Sequence, residues 1–276
     1  MDLLDLFATA EGNRAALEAR YSALRAGKEP GSASQLDAFA DYVGRHGLVS
    51  INMRPWVLSN LLVEDAYQNM YEFASEQSAV SGRDADEVLR EKLGSLYGKR
   101  LAFDGAFVDG RRFRYGALNL GGTGMTCYGQ FCVVLKPLFH AGHAMAYLVG
   151  DSLRTCLDSA GALIRAVVEQ QTAPHSHRQF LAALKHANDL PSRSESDWPA
   201  LVCCNSEFIE VIFLREVKTD SIGEVRIGQP EYQTLWDLAF ADFARELGAG
   251  ESALANDFVQ ILRAAERRGI NIRRVK

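Results

Sequence analysis

Apolar residues at helical spacing open the chain. Leu3, Leu4, Leu6 and Phe7 start a face, and Leu17, Tyr21 and Leu24 continue at i, i+4 and i+7. A Gly/Pro/Ser break covers 27–34, after which Leu36, Phe39, Tyr42 and Val43 mark one side of another helix. Residues 1–46 thus read as a helical lobe. The period then changes. Residues 48–53, LVSINM, alternate and are partly β-branched, which predicts a strand. Arg54-Pro55 closes it, because proline cannot donate to a central ladder. Residues 84–96 are helical, with Val88, Leu89, Leu93 and Leu96 inside. The run 113–137, FRYGALNLGGTGMTCYGQFCVVLKP, reads as strand, glycine loop, strand. Helices follow over 158–170 and 178–187, then strands at 208–216 (FIEVIFLRE) and 221–227 (SIGEVRI). Two more helices, 232–247 and 252–268, close the pattern, and Arg267-Arg268 suits the last helix's dipole. The expectation is an α+β fold with a mostly antiparallel sheet.

Composition narrows the function classes. A chain of 276 residues, 47% hydrophobic and 24% charged, can bury a sizeable core in one large domain or two small ones. A net charge of −5 argues against a dedicated nucleic-acid binder, which carries a basic excess. No apolar run reaches the roughly 18 residues of a membrane helix. The opening MDLLDLF lacks the basic region of a cleaved signal peptide. Five cysteines, an odd number without metal spacing, read as free thiols in a reducing compartment. His140 and His143 have no acidic or thiol partner at ligand spacing, so no metal site is expected.

The central run carries a resemblance. Tyr115-Gly116-Ala117-Leu118-Asn119, a glycine-rich gap, the pair Tyr128-Gly129 and a strand ending Leu135-Lys136-Pro137 resemble a bacterial family of the ADP-ribosyltransferase fold. Other pieces extend the likeness over roughly 48–230. Arg54, at the end of the first strand, matches the arginine of the Arg-Ser-Glu transferases. Tyr71-Glu72-Phe73-Ala74-Ser75 aligns with the strand that carries their hydroxyl motif, although Phe73 stands where a hydroxyl is usual. Tyr67, Tyr71 and Ala74 also fit a helix at i, i+4 and i+7. Gly150-Asp151-Ser152 follows the Leu-Lys-Pro strand as in the resembling family. Glu224 takes the late glutamate position, ahead of Gly228-Gln229-Pro230, and Glu210 in FIEVIFL is the competing glutamate.

The resemblance implies a split, mostly antiparallel sheet and a mono-ADP-ribosyltransferase that uses NAD as its substrate. Glu224 would stabilise the oxocarbenium ion at the ribose. Arg54 would hold the pyrophosphate with its planar fork. Tyr71, Phe73 and Tyr115 are the candidates to stack on nicotinamide, with Ser75 or Ser78 supplying the missing hydroxyl and Gly116 in the cofactor wall. Residues 47–276 would form the catalytic domain. The expected acceptor is a protein, with ubiquitin the single named guess, docked by helices outside the core. A monomeric bacterial effector is implied, made in the bacterial cytoplasm and delivered into a host cell without a cleaved signal peptide. Two alternatives stand beside it. One is a catalytically dead member that binds a partner. The other is a thiol hydrolase pairing Cys127 or Cys132 with His140 or His143.

Overall fold

The computed structural model of the chain describes residues 3–140, 142–240 and 247–275. It is an α+β fold built on one open sheet of eight strands. In chain order these are β1 (Leu48–Met53), β2 (Arg114–Asn119), β3 (Phe131–Leu135), β4 (Met145–Leu148), β5 (Thr172–Pro174), β6 (Glu210–Phe213), β7 (Ile222–Gly228) and β8 (Ile272–Val275). Their spatial order is β5-β4-β6-β2-β1-β3-β7-β8, and every pairing is antiparallel except β7 with β8. The expected α+β class with a mostly antiparallel sheet therefore holds, and the strands form one continuous sheet, not a split one. The predicted helix 232–247 is present as Gln229–Phe240, and its continuation over 241–246 lies outside the described residues.

Strand alternation gives the sheet two unlike faces. Val49, Ile51 and Met53 of β1 point to one face, together with Phe131, Val133, Val225, Ile227, Val211 and Phe213. Helices Arg14–Ala26, Pro30–His46, Pro55–Glu64, Arg178–His186 and Ala249–Arg268 cover it. The opposite face is apolar only over the β4/β6 side, where Leu6, Ala10, Phe103 and Leu153 pack on Ala146, Leu148 and Ile212. Towards β1, β3 and β7 this second face carries Ser50, Asn52, Cys132, Glu224 and Arg226.

The N-terminal helices form no core of their own. Leu17, Leu36, Phe39 and Val43 are buried in the main cluster on the first face. Leu6 and Ala10 lie in the cluster on the second face. Each of these leucine, valine and phenylalanine side chains contributes about 1.5–3 kcal/mol through burial. Residues 3–46 thus straddle the sheet as part of its packing, and the expected boundary after residue 46 is not a boundary in the core.

The glycine loop between β2 and β3 folds down on the polar half of the second face. Asn52 donates to the carbonyls of Thr123 and Gly129 at 2.9 and 3.0 Å and accepts from Met125 N at 2.9 Å. Asn119 accepts from Gly121 N at 2.7 Å. Gly124 has φ +69°, and a Cβ there would lie 2.2 Å from Asn52 Oδ1. A Cβ on Gly129 would meet the Met53 backbone at 2.1 Å. The glycines serve this contact between loop and strand.

Phe39→Ala should cost about 3–5 kcal/mol, as expected for a fully buried aromatic. Urea unfolding should show one transition shifted as a whole. A separate early transition confined to the N-terminal helices would mean that they form an independent lobe.

Candidate functional site

The sheet register lays out the site. Glu224, Val134, Ser50, Ala117 and Glu210 lie side by side on one row across β7, β3, β1, β2 and β6. The two glutamates are each two strands from β1 and face the same side of the sheet. Arg54 lies four residues along β1 from Ser50. With about 4.8 Å between strands and about 3.3 Å per residue, each glutamate Cα is roughly 16 Å from that of Arg54. Distance does not distinguish the two carboxylates; their surroundings do.

Glu224 is neutralised. It accepts from Arg226 Nε at 2.7 Å and pairs with Arg226 Nη2 at 2.6 Å, with Arg273 at 3.9 Å. Arg226 in turn donates to Asn119 Oδ1 and to the Gly122 carbonyl. This pair ties β7 to the glycine loop, and neither Glu224 nor Glu210 lines the cleft that holds Arg54.

Glu210 is 6% exposed. Its Oε2 accepts from Ser152 N at 3.0 Å. Burial pushes its carboxyl up to about 7, and the positive charge of Arg100 acts against that rise. The Ser152 hydroxyl is buried beside it and, with the Ser152 N–H, opposes the rise. Asp151 positions this turn by accepting from Leu153 N at 2.9 Å. The Gly150-Asp151-Ser152 turn and the FIEVIFL strand, noted separately in the sequence, therefore meet. The signal that could have ranked Glu210 above Glu224 was its place in a wholly apolar strand, where a carboxyl must be desolvated.

Arg54 does sit at the end of β1, as expected. It precedes helix Pro55–Glu64, is exposed, and has no side-chain partner among the described residues. It lines an open cleft of about 500 Å³ with Trp56, Thr126, Cys127, Gln130 and Asp257. Burial also raises the carboxyl of Asp257.

The aromatic candidates are placed differently from the expectation. Residues 71–75 are not a strand; they belong to helix Met70–Ser81. Asn69 caps that helix by accepting from Tyr71 N and Glu72 N, while Glu72 takes the Asn69 N–H, so the helical spacing prevails. Tyr71 donates to Asp104 Oδ2 at 2.8 Å. Phe73 packs on Trp56, ring centroids 5.4 Å apart, beneath Lys92. Ser75 is exposed on this helix, far from any hydroxyl motif on a strand. Tyr115 is on β2 but hydrogen-bonds Asp104 and lies under Arg100, 3.9 Å from its ring. Gly116 faces its neighbour strand: a Cβ there would lie 2.7 Å from the Ser50 carbonyl. Tyr71 and Tyr115 thus anchor the segment between β1 and β2 through Asp104, and neither hydroxyl is free for a ligand.

Tyr128, which the sequence reading left aside, is better placed. Its N–H donates to Met125 O at 3.0 Å, and Met125 packs on Ala117, the cross-strand neighbour of Glu210. Its ring is 49% exposed, and the negative charges of Asp151 and Glu210 add to burial in pushing its hydroxyl up to about 12.

The thiol–imidazole alternative has no geometry behind it. Cys132 is buried on the second face, its thiol raised to about 11 by burial. His140 lies on the other side, accepting from Val49 N at 3.4 Å and packing on His175. Burial lowers its imidazole to about 4. Cys127 and His143 are both exposed and share no contact among the described residues. No group of three or more His, Cys, Asp or Glu among the described residues is placed to hold a metal ion. No described helix is long and apolar enough to cross a membrane. No protein-family model matches the chain, and no curated protein matches it.

The Glu210 environment predicts a pH signature. Its folded-state value lies above the ordinary 4.5, so between about 4.5 and about 7 the native state holds this proton more tightly than the unfolded chain. This raised carboxyl therefore lowers stability as pH rises through that window. Glu210→Gln keeps an acceptor for Ser152 N and removes the charge. It should match the wild type near pH 4 and exceed it at pH 8 by on the order of 2–3 kcal/mol. Urea unfolding at both pH values checks this, and an equal or lower stability at pH 8 would refute it.

Proposed function

We propose that the chain cleaves the nicotinamide–ribose bond of NAD and transfers ADP-ribose to a protein acceptor. In this reading Glu210, not Glu224, is the carboxylate that stabilises the oxocarbenium ion. The observation that carries it is the buried Glu210 carboxyl, held on Ser152 N with the Ser152 hydroxyl beside it, on the sheet face that also holds the row to β1. Strands and backbone fix this carboxylate in place. It costs no reorganisation when positive charge develops at the ribose.

Ser152 is a positioning residue in this scheme. Its N–H orients Glu210, and its hydroxyl lies beside the carboxylate. Arg54, without a side-chain partner among the described residues, supplies a fork for the pyrophosphate at the mouth of its cleft. An extended dinucleotide and two long side chains can bridge the separation between them. With Tyr71 and Tyr115 engaged by Asp104, Tyr128 is the aromatic face left for nicotinamide. A cationic nicotinamide ribose would favour the ionised form of Glu210. Bond cleavage moves the bonding pair to nicotinamide, and the acceptor nucleophile then takes the ribose carbon and loses its proton.

Glu210→Gln should lower the rate of nicotinamide release by about 10²–10³, the scale of losing one preorganised electrostatic contact. Glu224→Gln should leave it within a few-fold, because its role is to pair with Arg226. Arg54→Lys should mainly raise KM for NAD. The wild-type rate should rise with pH through about 7 as Glu210 ionises. Nicotinamide release and labelling with NAD bearing a tagged adenine report both steps, with ubiquitin as the first acceptor to present. No nicotinamide release by the wild type would reject the reading. Loss in Glu224→Gln but not in Glu210→Gln would return the role to Glu224. Release without any labelled protein would make the chain a glycohydrolase.

A further inference from the structure

The charge of this chain is unevenly placed. Its net charge is −5, yet residues 263–276 carry six Lys or Arg against one Glu. Helix Ala249–Arg268 ends in this stretch and β8 lies within it. Arg273 and Arg274 of β8 are exposed, as is Arg267. Arg267 has no partner among the described residues. Arg273 has only the distant Glu224 at 3.9 Å, and Arg274 lies 4.9 Å over the Tyr232 ring.

Beside these cations runs an aromatic ladder. Tyr232, Trp236 and Phe240 follow at i, i+4 and i+8 on helix Gln229–Phe240. The Tyr232 and Trp236 rings stack at 6.0 Å, and Trp236 and Phe240 are 4.6 Å apart. Trp236 and Phe240 are each 39% exposed. β8 pairs with β7 on one side only, and no strand among the described residues covers its other edge.

We propose that β8 and this ladder form a docking surface for an acidic, extended segment of another protein, which adds to the sheet edge as a further strand. Backbone groups on the open edge supply the ladder of hydrogen bonds. Arg273 supplies charge complementarity on one face of the added strand, and on the other face the exposed rings, edged by Arg274, receive the apolar side chains that alternate with the acidic ones. Arginines on an edge repel an identical edge, so a second copy of this chain is disfavoured there. A nucleic acid matches the charge but cannot pair with a strand edge. The surface is separate from the Glu210 site, and the inference does not depend on the NAD reading.

Calorimetric titration of the full chain tests it with three probes: a short peptide of alternating Glu and Val, its Lys–Val counterpart, and an oligothymidylate. The Glu–Val peptide should bind, more weakly at higher salt, and the Lys–Val peptide should not. Arg273→Glu with Arg274→Glu should weaken the Glu–Val peptide by at least about tenfold. Trp236→Ala should weaken it too while leaving the charge intact, which separates docking from simple charge attraction. All three positions are exposed, so circular dichroism should report an unchanged fold. Equal binding of the two peptides, an unchanged affinity in the double variant, or tighter binding of the oligothymidylate than of the peptide would each overturn the proposal.

Discussion

A carboxyl buried against a sheet must be satisfied from within the protein, and Glu210 sets that requirement at the centre of this fold. Its strand is otherwise apolar, with Val211 and Phe213 committed to the main core and Ile212 to the second cluster. The strand cannot turn to release the carboxyl without exposing them. Water is excluded, so the compensation comes from Ser152 N and from the charge of Arg100. Arg100 is in turn held over Tyr115 and beside Asp104, which Tyr71 and Tyr115 bind. The helices between β1 and β2 are therefore anchored by the same group of side chains that keeps Glu210 solvated.

The other half of that face solves the same problem with neutral groups. Asn52 and Asn119 present amides that no partner strand can satisfy. The glycine loop closes on them with its own backbone. Glycine is needed where the loop must pass close to β1. The loop's far limb is then clamped by Asn205, which accepts from Cys127 N at 3.0 Å and donates to Thr126 Oγ1 at 2.9 Å. A loop pinned at this many points is a rigid wall, and it holds Tyr128 in a fixed position near Ala117 and Glu210.

Electrostatics divides the molecule in the same way. The acidic excess is spread over the chain, whereas residues 263–276 carry six Lys or Arg against one Glu. An overall charge of −5 suggests a basic partner, but an interface senses the local field within about a Debye length. The local field at the sheet edge is positive.

The amino-acid sequence by itself determined β1, β2, β3, β6 and β7 and several of the longer helices, because their periods are written in apolar side chains; the short strands β4, β5 and β8 were not read from it. LVSINM, FCVVL and FIEVIF alternate or run apolar, and Arg54 lands at the end of β1 because proline follows it. It also placed the glycine loop between two strands. What it left open was residues 71–75, where a strand motif and a helical spacing overlapped, and the capping box of Asn69 with Glu72 decided for the helix. The sequence reading put Glu224 in the catalytic position with Glu210 as its competitor, since both precede apolar residues on late strands. The tertiary structure gives the two unlike surroundings. Arg226 is two residues from Glu224 on the same face and neutralises it, whereas Glu210 is desolvated by a cluster drawn from residues 6 to 212 and oriented by Ser152. A side chain's ionisation depends on what surrounds it in space, and strand order, not chain order, brings those neighbours together.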